Sequence, residues 1–453
     1  MPARFTALLD GLRWQPIHTR ITLVLGLGWM LDAFEVNIIG GVLGVLQKLW
    51  HVTTEQASLL ISVWLLGIMV GALLFGYCAD RFGRRRLFIF TLLFYSGFTV
   101  VSALSPGYYA FLLFRFLTAI GVGAEYSAVN AAIGELIPAR YRGRAGAAVM
   151  NFWPLGSILA GVITLYFINV MPASIGWRFA FALGAIIALF SVWARKALPE
   201  SPRWLAGRGR TEAAAAISAQ IASGARQFDP ASSDGAAEPP SAGFFAQLRW
   251  LIGRHAGRIT LGCLLDFSEA AGYYGLFAML PLVVLPHLHI ADEMVPWFFI
   301  VGNVGAAIGG LIAAVLLDKA GRKVTVTGFY VLAALSMLVM SRAATGGSAG
   351  GVLLAFTAAN LCATGSWIAA YPTFSELFPT RLRATGIGVS VAFGRIGAAV
   401  APPALVAVAQ GVSMTAAFLL LAAFWLLGAV AMLAWSIRGV ETRGLSLEAI
   451  AAD

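Results

Sequence analysis

Charge is what this sequence has least of. Only 11% of its 453 residues are Asp, Glu, Lys or Arg, while 59% are hydrophobic and the mean hydropathy is +0.83. A soluble domain carries about 25% charged residues, so a soluble globular protein is excluded and a polytopic membrane protein is expected. Cysteine is also scarce. Cys78, Cys263 and Cys362 lie in or beside apolar runs, with neither metal-ligand spacing nor a disulfide framework. No nucleophile–base pair, metal-ligand cluster or phosphate loop stands out, so no catalytic residue, metal or cofactor is expected. His287 and His289 read as solvated side chains of an outer loop. Lysine is rare beside arginine and N-x-S/T sequons are missing, which favours a bacterial inner membrane. The net charge of +10 would suit nucleic acid. The basic residues, however, sit in short loops between apolar runs, where anionic headgroups are the nearer partner.

The apolar runs themselves are abundant. A membrane helix needs about 20 such residues, and twelve runs qualify: 21–45, 57–77, 87–105, 108–130, 145–169, 177–197, 259–286, 294–317, 324–341, 350–372, 385–410 and 413–436. They are long and continuous, unlike the short alternating strands of a membrane barrel. The first run follows Arg4, Arg13 and Arg20 and is too long for a signal-peptide core, so it reads as a retained span. Placing the N-terminus in the cytoplasm puts Arg81, Arg84 to Arg86, Arg140, Arg142, Arg144, Lys319, Arg322, Lys323, Arg381 and Arg383 in inner loops, against Lys48, Arg178 and Arg342 outside. That asymmetry sets both termini inside.

The chain repeats itself. The basic turn Asp80-Arg81-Phe82-Gly83-Arg84 returns as Asp318-Lys319-Ala320-Gly321-Arg322, Glu135-Leu136-Ile137-Pro138 as Glu376-Leu377-Phe378-Pro379, and Leu31-Asp32 through Glu35 as Leu265-Asp266 through Glu269. Order is kept and the offset is nearly the same, which marks a duplicated bundle. The expected fold is therefore all-α, with twelve transmembrane helices in two pseudo-symmetric six-helix bundles, residues 1–197 and 259–453. A cytoplasmic linker, 198–258, joins them. Within it a short helix capped by Thr211 is expected, then disorder over 223–242, then an amphipathic interfacial helix over Phe244–Ile252.

These residues resemble the major facilitator superfamily. The Gly76–Arg86 turn is similar to that family's loop between spans 2 and 3, and Arg115 through Gly123 to its span-4 pattern, with the glycine spacing shifted. Pro199-Glu200-Ser201-Pro202-Arg203-Trp204-Leu205 resembles the linker motif of sugar porters, organic ion transporters, synaptic-vesicle proteins and bacterial niacin transporters. Arg395 through Pro402 is similar to their span-11 motif. The resemblance implies a uniporter or symporter that works by alternating access, with spans 1, 4, 7 and 10, helped by 5, 8 and 11, around a midplane cavity.

Ionisable residues deep in a membrane are functional candidates by default. Here they are Asp32 and Glu35, Arg115 and Glu125, Asp266 and Glu269, and Arg395. Asp32 and Glu35 lie three apart and share a helix face; two carboxylates there suit proton uptake and release. The competing reading neutralises one of them with a fixed arginine. Asp266 and Glu269 echo them. Arg115, whose counterpart the resemblance ties to proton coupling, fits an internal salt bridge equally well. Arg395 lies near the midplane and can grip a carboxylate in bidentate fashion, or else pair with Glu35 or Glu269. Trp29, Phe34, Tyr126, Trp153, Tyr273, Tyr274, Trp367 and Tyr371 together favour a flat aromatic ligand. Asn37, Asn130, Asn151, Asn303 and Asn360 are hydrogen-bonding candidates or helix–helix glue. At the basic turns, Asp80, Arg84, Arg142, Asp318, Arg322 and Arg383 are read as gating residues, with Asp80 pairing Arg142 and Asp318 pairing Arg383.

The first functional reading is a monomeric, proton-coupled importer of a small aromatic carboxylate, similar to niacin transporters. An organic cation carrier or multidrug exporter competes, because five acids face two arginines. A sugar–proton symporter ranks lower, since no span carries a glutamine at its middle. A non-transporting receptor ranks last.

Overall fold

A computed structural model describes residues 9–443, except for 53, 196–197, 224–242, 291–294 and 380–381. The segment expected to be disordered, and Arg381, therefore fall almost wholly or wholly outside the described residues. The described residues are almost all helical: α1 Pro16–Trp50, α2 Thr54–Phe82, α3 Arg84–Ala103, α4 Tyr108–Leu136, α5 Arg142–Met150, α6 Trp153–Val170 and α7 Ala173–Arg195. Two linker helices follow, α8 Pro202–Gly207 and α9 Thr211–Ala222. Then come α10 Phe244–Met279, α11 Val295–Lys319, α12 Arg322–Thr345, α13 Ala349–Leu377, α14 Arg383–Gly411 and α15 Met414–Arg438.

Among the described residues, eleven stretches are long and apolar enough to cross a membrane, with α5 and α6 together making one of them; a twelfth, shorter apolar stretch is Ser174–Ile186 of α7. The helices overrun the apolar runs: α1 starts at Pro16 and runs to Trp50, and α2 continues to Phe82. The helix expected at the interface over Phe244–Ile252 is continuous with the seventh span. It is set off from it only at His255, whose φ of −129° and ψ of 35° are non-helical. Thr211 does not cap α9: it is the first helical residue, and Arg210 holds the cap position without a side-chain capping hydrogen bond. The side-chain cap is at α8, where Ser201 Oγ accepts from Trp204 N at 3.1 Å.

The repeat is visible in the backbone. Gly83, φ 101°, alone separates α2 from α3, and Gly321, φ 85°, opens α12 in the equivalent turn. Only glycine takes that conformation without strain. Close packing repeats too: a Cβ at Gly71 of α2 would lie 2.0 Å from Ile120 O of α4, and one at Gly309 of α11 would lie 2.1 Å from Leu361 O of α13. Apolar side chains gain little by leaving lipid for one another, so small residues and close backbone approach hold such helices together. Between the halves, α2 runs along α14, and α5 and α6 run along α11. This leaves α1, α4, α6, α10, α13 and α14 to meet at the centre.

Candidate functional site

An aromatic box fills that centre. Trp29 of α1 lies edge-on to Tyr126 of α4 (centroids 4.8 Å apart) and stacks on Trp367 of α13 at 6.0 Å. Trp153, one residue into α6, packs 5.1 Å from Trp367 and 5.8 Å from Trp29. Tyr371, one turn beyond Trp367, reaches Tyr126 at 6.1 Å, and Tyr273 of α10 reaches Trp367 at 6.2 Å. Helical spacing produces this grouping: Trp367 and Tyr371 are four apart, and Asp266, Glu269 and Tyr273 follow at three and four, so each set shares a face.

Arg395 of α14 enters the box. Its guanidinium lies 4.7 Å from the Tyr126 ring centroid and 5.6 Å from that of Tyr274. It forms no ion pair or hydrogen bond among the described residues, and its Nε is buried without a partner. Asp266 and Glu269 lie within its electrostatic reach, and Asp32 lies near Tyr126. All three carboxylates are buried. Asp266 rests against the backbone of α14, where a Cβ at Gly394 would sit 1.7 Å from its Oδ2. Gly394→Ala should therefore push the carboxylate out of place. The expected outcome is a fully inserted protein with at least tenfold weaker substrate binding, measured by titration in detergent beside a thermal-unfolding control; unaltered binding would show that Asp266 tolerates the displacement.

Other candidates lie elsewhere. Glu35 is ion-paired to Arg115 at 3.0 Å; the same guanidinium also donates to Glu35 O at 2.8 Å and lies 3.8 Å from the Trp64 ring centroid. Glu35 is thus not the partner of Arg395. Phe34 is not part of the box: it packs with Trp177 and Phe181, tight against Gly184 of α7. Glu125 faces α3 and accepts from Thr91 Oγ1 at 3.1 Å. Asn37, Asn130 and Asn303 donate to carbonyls one turn back, and Asn360 accepts from Thr364. Asn151 lies at the break between α5 and α6, its Oδ1 against Gly310 of α11.

A second polar constellation closes the end of the bundle that carries the linker. Arg84 bridges Asp80 and Glu135, each at 2.9 Å, and Arg383 reaches Glu135 from the other half at 3.2 Å. In the second half Arg322 holds Glu376 through two nitrogens, at 2.8 and 3.0 Å. Among the described residues the expected Asp80–Arg142 and Asp318–Arg383 ion pairs are not seen. Asp80 instead sits at the start of α14, accepting from Thr385 N and Oγ1, both at 2.7 Å. Asp318 sits at the start of α5 and pairs with Arg144 at 3.3 Å. Exposed N–H groups and the helix dipole draw a carboxylate there. Arg142 then turns to Asp10, which Arg203 also reaches at 2.7 Å.

Each half also carries a carboxylate that caps its basic turn. Glu200 accepts from Arg84 N and Ser201 N at 3.0 Å, and Glu441 from Arg322 N at 2.9 Å and Lys323 N at 3.0 Å. Burial pushes the Glu200 carboxyl above the ordinary carboxylate range, against the pull of the Ser201 N–H and the Arg84 charge. Sequence reasoning assigned no role to Glu135, Glu376, Glu200, Glu441 or Asp10. Four of these had a signal, because Glu135 and Glu376, like Glu200-Ser201 and Glu441-Thr442, recur at the offset of 241. Asp10 had none.

The family model for sugar (and other) transporters matches residues 27–453. The chain belongs to that family, within the major facilitator superfamily. A niacin transporter, NiaP, of Acinetobacter baylyi is 32% identical over 438 residues, 96% of each chain, and a putative niacin/nicotinamide transporter of Bacillus subtilis is 30% identical over 441 residues, 96% of this chain and 99% of its own. Among solved structures, the proton:xylose symporter XylE bound to 6-bromo-6-deoxy-D-glucose aligns with a TM-score of 0.80 at 21% identity, over 96% of this chain and 98% of that one. The family consists of membrane transporters, not enzymes, and the twelve-helix fold follows with it.

Proposed function

We propose that this transporter imports a small aromatic carboxylate such as nicotinate, driven by protons, by alternating access. One observation carries the reading: a buried guanidinium that forms no ion pair among the described residues stands within a box of aromatic rings. A buried charge is costly unless paired. An incoming carboxylate would supply the partner and the rings would flank its aromatic body. Asp32, Asp266 and Glu269 are the carboxylates placed to take up the proton that accompanies the anion. The Asp80–Glu135–Arg383 network would be the inner gate, shut when the cavity faces outward, with both termini in the cytoplasm. The identity to niacin transporters supports the substrate class.

A second reading, an organic cation carrier, is favoured by the balance of three carboxylates against one arginine in the site. Uptake of labelled nicotinate and of choline into proteoliposomes, with and without an inward proton gradient, separates the two. Gradient-driven nicotinate accumulation is expected, competed by benzoate-like acids; choline flux without nicotinate uptake would replace the carboxylate reading with the cation one. In the same assay Asp32→Asn should abolish accumulation while retaining exchange. Wild-type accumulation in that variant would remove Asp32 from coupling.

A further inference from the structure

We propose that the first helical segment of α10, Phe244–Arg254, is a binding site for anionic phospholipid, and that lipid seated there steadies the polar network beneath it. The segment has two contrasting faces. Gln247 and Leu251 are buried against the bundle, while Phe245 is 82%, Trp250 41% and Ile252 51% exposed, and Arg249 and Arg254 are exposed with them. Neither arginine forms an ion pair among the described residues, and Arg254 lies over the Trp250 ring, 6.0 Å from its centroid. The sequence from Gly243 to Leu265 contains no acid, so nothing in the segment neutralises them.

Its height is set by the spans. Phe244 meets Tyr77 near the end of α2 at 5.9 Å, beside Phe82, which is 55% exposed and overlaid by Arg81. The non-helical His255 separates the segment from the apolar part of α10. Exposed aromatic and aliphatic side chains interleaved with uncompensated arginines, at the level where two spans end, match the chemistry of a headgroup layer. Rings enter the acyl boundary and guanidiniums meet phosphate. The opposite face carries the coupling: the Thr385 hydroxyl lies 2.7 Å from Asp80 Oδ2 and 3.4 Å from Gln247 Oε1. Fixing this segment therefore fixes one side of the network. The coupling rests on the gate reading proposed above; the lipid site does not.

Two measurements test the parts separately. Native mass spectrometry of the protein in equimolar phosphatidylglycerol and phosphatidylcholine should show preferential retention of phosphatidylglycerol, about fivefold for each arginine, reduced to parity in R249Q/R254Q. Undiminished preference in that variant, no preference in the wild type, or displacement of the lipid by millimolar inorganic phosphate would overturn the site. Spin labels at positions 140 and 319, in a background lacking the three native cysteines, report the distance between the two halves at the end of the bundle that carries the network, in nanodiscs. Phosphatidylglycerol should narrow and shorten that distribution in the otherwise unmodified protein and leave R249Q/R254Q unaffected. Binding without any change in the distribution would retain the site and overturn the coupling.

Discussion

Arg395→Ala is expected to lower the affinity for an aromatic carboxylate about a hundredfold while leaving the weak affinity for the matching amide almost unchanged. Among the described residues the guanidinium is the side-chain cation that lies over the rings of the box, and a charge-assisted bidentate contact is worth about 3 kcal/mol in a site screened from water. Arg395→Lys should recover only part of the loss. A compact ammonium keeps the charge but neither matches the carboxylate fork nor stacks on Tyr126 in the same way. Binding measured by calorimetry for nicotinate and nicotinamide, with all three proteins, decides the point. Equal loss of both ligands in the alanine variant would make Arg395 a structural residue that holds α14 against α4 and α10.

Glu135→Gln is expected to have the largest structural effect. Glu135 Oε1 takes Arg84 and Arg383 from opposite halves, and all three side chains are almost wholly buried. Removing its charge takes from both guanidiniums the carboxylate they share, while Asp80 stays paired with Arg84. Breaking a buried pair in this way costs about 3–5 kcal/mol. Much of that would fall on the state in which this end is closed, because Arg383 reaches Glu135 only across the interface. The variant should therefore populate open conformations at the linker end. A cysteine placed at Ala384, buried in the closed arrangement, should become far more reactive to a maleimide in Glu135→Gln than in the parent protein. Unchanged labelling would show that Asp80 and Thr385 hold the interface unaided. A double variant, Glu135→Gln with Arg383→Gln, should restore much of the protection, since it removes one of the two cations that shared the lost charge.

Much of the architecture was legible because membrane helices announce themselves through long apolar runs, and because the Asp80 and Asp318 turns fix the repeat. The box was legible through residue type: tryptophans, tyrosines and an arginine at helical spacing within spans have few alternative arrangements. What was not legible was pairing. Asp32 and Glu35 share a face by spacing, yet three helical steps of about 100° leave them about 60° apart. That is enough for Asp32 to lie near Tyr126 while Glu35 meets Arg115. Phe34, two steps from Asp32, falls on the far side of α1 among Trp177 and Phe181. At the basic turns, charge complementarity alone matched Asp80 to Arg142. Backbone N–H groups at the starts of α14 and α5 compete for the same carboxylates, and a pattern of side-chain charges does not reveal them. Asp10, in an unremarked N-terminal stretch, then became the partner that Arg142 and Arg203 share.

The caps on the two basic turns have a practical consequence for dissecting the protein. Glu200, which closes the first turn, belongs to the segment after the sixth span, and Glu441, which closes the second, follows the twelfth. A fragment ending at the last apolar residue of either half would lose its clasp and leave two amides of a helix start bare. Co-expressed halves are therefore best divided between Ser223 and Gly243, and an affinity handle on the C-terminal side belongs after Arg443, whose guanidinium already holds Lys319 O at 2.7 Å.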